Sequence, residues 1–139
     1  MSTVQRQIRD AFEARIKAAL PAVSFFRCPH RELAEGELPA VCLFGLTDRP
    51  EHGDEDDHQQ AHERVYTVRV EIQVAERGDD DATDDLAVAV RSAVLADDSL
   101  DRLVTRITWS EQAWDGSEGE FPIAGTLLNF NVFYLWRPE

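Results

Sequence analysis

The chain contains no apolar run approaching the ~18 consecutive residues that a membrane helix requires, and it begins Ser2-Thr3-Val4-Gln5-Arg6, without the apolar stretch of an export signal. The expected location is the cytoplasm, with no membrane partner. Cysteine is scarce, and both Cys28 and Cys42 sit in apolar surroundings. Buried thiols are the plain reading and a disulfide the alternative; neither cysteine has a second Cys or His at zinc-ligand spacing. Also missing are a phosphate-cradling glycine loop, a nucleophile elbow and the acid-then-glycine order of an EF-hand. No catalytic residue, cofactor or metal is therefore expected. Positive charge is short as well: 14 Lys and Arg face 27 Asp and Glu, a net charge of −13. That balance argues against binding DNA phosphates, and no sequence-specific nucleic-acid partner is expected.

What is present suits one globular domain over residues 1–139, with 43% hydrophobic and 29% charged residues. The negative charge is unevenly spread. Residues 47–63 carry −6, 76–85 carry −5 and 115–120 carry −3, while everything else sums to +1. The first of these, an acidic loop at 47–63, has seven acids against one arginine, and is expected to be mobile and dispensable for folding. Within it, His52-Gly53-Asp54-Glu55-Asp56-Asp57-His58 lacks the spacing of a cation site and reads as a solvated run.

Val4, Ile8, Phe12 and Ile16 recur every four positions, which predicts an amphipathic helix near residues 3–20, with Ser2 and Gln5 as a capping box and Pro21 as its stop. Val23 to Cys28 is a short strand, and Pro39 to Leu46, apolar on both faces, an interior one. Residues 64–74 alternate: Tyr66, Val68, Val70, Ile72 and Val74 face one way, and Thr67, Arg69, Glu71 and Gln73 the other. Asp79-Asp80-Asp81 opens a second helix, whose apolar stripe is Leu86, Ala89, Val90, Ala93 and Val94. A strand at 104–111, a turn at 115–119 and a closing strand from Ile123 to Trp136 complete the order. The expected fold is α+β: one mixed or antiparallel sheet of four to five strands with two helices on one face. The closing strand also carries Ile123, Leu127, Phe133 and Leu135 on its odd face. Either a neighbouring subunit or a loop or short strand of the same chain would cover them.

The segment Phe26-Arg27-Cys28-Pro29-His30-Arg31-Glu32-Leu33, followed by Glu37-Leu38-Pro39-Ala40-Val41-Cys42-Leu43-Phe44, resembles the tail terminator proteins of long-tailed bacteriophages. The long alternating strand, the acidic start of the second helix, the Asp98-Ser99-Leu100 turn and the closing strand follow in that family's order. The resemblance implies a non-enzymatic virion protein that forms a homo-oligomeric ring of six. Its partners would be itself, the tail tube protein, whose growth it ends, and the head-side connector protein. It would pass from the host cytoplasm into the virion tail. The alternatives are another head-tail joining or completion protein of similar fold, or a small cytoplasmic ligand-binding α+β domain. For the contact surfaces, Arg27, Arg31 and Arg69 are the expected cations, and Trp114 and Phe121 the expected apolar contacts.

Overall fold

The first helix, α1 (Val4–Ala19), turns Ile8, Phe12 and Ile16 into the interior, as a four-residue period requires. Its N-cap is Thr3, whose hydroxyl accepts from the Arg6 N–H at 3.2 Å, rather than Ser2, which lies outside the described residues. The capping box expected of Ser2 and Gln5 thus falls partly outside the described residues. The Gln5 amide N–H reaches across to donate to the Asp48 carboxylate at 2.6 Å. The computed structural model describes residues 3–27, 29, 33–51, 61–74, 80–117 and 123–137.

After α1 come β1 (Ser24–Arg27), β2 (Ala40–Pro50), β3 (His62–Val74), α2 (Asp80–Leu95), β4 (Arg106–Ser117) and β5 (Ile123–Trp136). The strands form one sheet in the order β1-β2-β3-β5-β4. The β1–β2 pair is parallel and the rest are antiparallel, so the expected α+β fold with a mixed sheet holds. Both helices cover the same face. Ile8, Phe12 and Ile16 of α1 and Ala87, Val90 and Val94 of α2 close over the inward residues of β3 and β5. Phe12 meets Phe130 edge to face, with ring centroids 5.7 Å apart. The α2 stripe departs from expectation in one respect: Ala87 and Thr83 are fully buried, while Leu86 is only half-buried at the rim.

The second face of β2 is covered by the chain itself. Leu33, Ala40 and Cys42 form a small cluster with Phe26, Leu38 and Phe44, so the connection after β1 closes over the outer side of β1 and β2. On β5, Phe133 lies under the Arg106 guanidinium, 3.7 Å from its centroid, while Leu135 stays 47% exposed. Own-chain cover thus serves β2 and one part of β5.

Two expected loops are shorter than the charge pattern suggests. Thr47–Pro50 belongs to β2 and His62–Glu63 to β3, so the acidic stretch of 47–63 shrinks to the 51–61 connection, of which 52–60 lie outside the described residues. A β-bulge between Gly45 and Thr47 hides this extension from a strict two-residue alternation. The turn expected at 115–119 likewise starts later: Asp115, Gly116 and Ser117 still pair with Gly125, Ala124 and Ile123. Residues 118–122 lie outside the described set.

Candidate interaction surfaces

With both helices on one face, the other face of the sheet carries a band of polar side chains across its centre. Thr67 on β3 donates to Asn131 on β5 at 3.0 Å, Arg69 donates to Asn129 at 3.3 Å, and Asn129 in turn donates to Glu111 on β4 at 3.2 Å. These are cross-strand pairs at the positions the register sets opposite each other. Arg69, one of the expected contact cations, therefore sits in the middle of a hydrogen-bonded ladder on the uncovered face.

The β4 flank is different. As the last strand of the sheet, β4 has no strand beyond it among the described residues, and its inward side chains emerge beside α2. Trp109 is 39% exposed, Trp114 53% and, on the neighbouring helix, Val88 50%. Each indole is fixed within the chain: Trp109 lies under the Arg91 guanidinium at 4.1 Å and donates to the Glu111 carbonyl, and Trp114 donates to Asp84 at 2.8 Å. Val88, Arg91, Ser92, Leu95, Ala96 and Trp109 line a groove of about 440 Å³ between helix and strand. Trp109 follows the inward alternation of its strand, but at the sheet margin the helix covers it only in part.

A third cluster lies where the N-terminus of α1 meets the ends of β2, β3 and β5. Asp48 accepts from the Tyr134 hydroxyl at 2.5 Å, from Gln5 at 2.6 Å and from Arg64 Nε at 2.7 Å. Arg64 also donates to His62 Nε2, and the His62 ring leans on Trp136. Trp136 is half-buried against the rim of the core. Burial, and then the adjacent Asp48 carboxylate, hold the Tyr134 phenol well above its ordinary value. Nearby, Arg9 Nη1 donates to the Tyr66 hydroxyl at 2.7 Å.

Of the other expected contact residues, Arg27 reaches back to α1, bonding Asp10 at 2.6 Å and Glu13 at 2.8 Å. Arg31 and Phe121 lie outside the described residues, as does Cys28. Cys42 is a buried free thiol, pushed up to about 11 by burial, with Glu71 and Glu37 adding to the shift. The expected residues are thus not gathered into one site: Arg69 is on the open face, Trp114 on the β4 flank and Arg27 exposed beside α1, paired to it. Compared with known proteins, the chain matches no family model and no curated sequence.

Proposed function

We propose that the protein is a structural assembly subunit of the tail-terminator kind, whose copies join side by side into a ring of six that caps a tail tube. Contact with the tube protein would end polymerisation, and the opposite surface would receive the head-side connector. The protein would act in the host cytoplasm and remain in the virion tail. The observation that carries this reading is the β4 flank. It sets a strand edge that is open among the described residues beside an exposed valine and two exposed tryptophans, the residue type that most often anchors protein contacts. The charge distribution supports it. The two α-helices and five strands sum to −1, which leaves −12 on the rest of the chain, so most of the negative charge lies outside the packed elements.

Replacing both Trp109 and Trp114 by Ser tests the flank in solution. Six copies at −13 each bring −78 into one ring, so the free protein is expected to be monomeric at low salt and to associate as ionic strength screens this repulsion, with a Debye length of about 8 Å at physiological salt. Sedimentation across a salt series should show wild type moving toward the ring while the double variant remains monomeric. A variant that assembles as wild type does would remove the flank from the interface.

A further inference from the structure

We propose that the free half of β2 is a docking edge for an extended acidic segment of another protein chain, and that Arg9 and Tyr66 receive its carboxylate. This deepens the assembly reading and rests on it only in taking the partner to be a protein.

β1 pairs with Ala40–Leu43 and stops. The remaining residues of β2, Phe44–Pro50, are held by β3 on one side and have no strand on the other among the described residues. Their outward backbone groups can therefore accept an added strand. The bulge between Gly45 and Thr47 turns Leu46 outward, where it is 41% exposed and offers an apolar contact.

Beside this edge is a notch of about 450 Å³ lined by Arg9, Gly45, Leu46, Thr47, Asp48 and Tyr66. Its polar groups are unevenly committed. The one carboxylate, Asp48, is already satisfied by Tyr134, Gln5 and Arg64. Arg9 is in no ion pair among the described residues and uses one N–H, toward the Tyr66 oxygen. Because that oxygen accepts from Arg9, the hydroxyl proton of Tyr66 is left to donate elsewhere, and no acceptor among the described residues takes it. Tyr66 itself is only 4% exposed, so the hydroxyl is fixed in place. Gly45 keeps the space in front of it open: a Cβ there would stand 2.1 Å from the Tyr66 oxygen. The notch is therefore short of acceptors and holds surplus donors. A guanidinium and a hydroxyl side by side suit a carboxylate, to which both bonds would be charge-assisted.

The strand edge makes the ligand a peptide rather than a free anion. Side chains of an added strand alternate between the two faces of the sheet, so every second one would point to the helix side, toward the notch. Charge agrees, since Arg6 on α1 and Arg49 on β2 are both exposed and add positive potential along the path.

The test uses fluorescein-labelled acetyl-Thr-Val-Glu-Val-Thr-amide and its Gln counterpart, titrated with the full chain by fluorescence polarisation. The Glu peptide should bind about tenfold more tightly, the effect of one charge-assisted contact. Arg9→Gln and Tyr66→Phe should each bring that preference down to about twofold or less. A version N-methylated at the backbone of its central residues should lose binding, because it cannot pair with the edge. Equal affinity for the Glu and Gln peptides, undiminished binding of the N-methylated peptide, or no binding at about 1 mM would each overturn the proposal. The ligand-side changes decide the matter even if a variant fails to fold. Failure here with tail tubes still capped would remove this docking edge alone; peptide binding with tubes left uncapped would remove the assembly reading instead.

Discussion

Thr126 is fully buried on the inward face of β5, and its hydroxyl has no partner among the described residues. A hydroxyl withdrawn from water without a bond carries a desolvation cost, so Thr126→Val, which keeps the shape, should raise stability by about 1 kcal/mol in chemical denaturation. A loss of stability would mean that the hydroxyl is bonded. Tyr134 presents the opposite case, a polar group fully engaged. Its phenol is held protonated in the folded chain beyond the ordinary value of ~10, so the stability this contributes is complete below about pH 10 and is lost as pH climbs toward the folded value. The chain has two tyrosines, so in Tyr66→Phe the remaining phenol should show its phenolate absorbance only above about pH 10. Ionisation at the ordinary value in a still-folded protein would remove Asp48 and burial as its governors.

At the scale of elements, the acidic connection and the strands it joins are separable. Pairing of β2 with β3 runs to Pro50 opposite Arg64, and the Glu51 N–H still donates to the Glu63 carbonyl at 2.9 Å. Replacing residues 52–60 by a short Gly-Ser turn should therefore leave a cooperatively unfolding protein. Extending the deletion to Asp48 should not, and Asp48→Ala alone should cost roughly 2 to 4 kcal/mol by stranding Arg64, Gln5 and the Tyr134 hydroxyl. Equal midpoints for Asp48→Ala and wild type would contradict this. The helices and the alternating strands were legible in sequence because burial imposes a period: Ile8, Phe12 and Ile16 on α1, or Val68, Val70 and Ile72 on β3, announce a face directly. The reach of β2 was not legible. One bulged residue, Leu46, breaks the alternation, and the acids beyond it look like a loop until Arg64, sixteen positions away, is seen to neutralise Asp48. The surfaces were harder still. Arg27 and Arg69 look alike as isolated cations in strands, and only the packing of α1 gives one the carboxylates of Asp10 and Glu13 while the other pairs with Asn129 on the open face.

The whole molecule is asymmetric in three ways that bear on assembly. One face of the sheet is covered by helices and the other is banded with polar pairs. One margin is a long strand with exposed indoles, while the other ends in a four-residue strand that leaves half of β2 without a neighbour on that side among the described residues. Most of the negative charge, −12 of −13, stands outside the helices and strands. A subunit whose two margins differ is suited to head-to-tail contact, which closes into a ring when the rotation between neighbours allows it. Tail tubes presenting several sites at once should favour closure over the free protein, by raising the effective concentration of neighbours. The most direct measurement is to add the purified protein to tail tubes assembled without it and examine their ends by electron microscopy. The account predicts a ring at the tube tips and arrested elongation, both lost with the Trp109→Ser/Trp114→Ser variant. Tubes that keep lengthening at the same rate, with no ring at their tips, would contradict it.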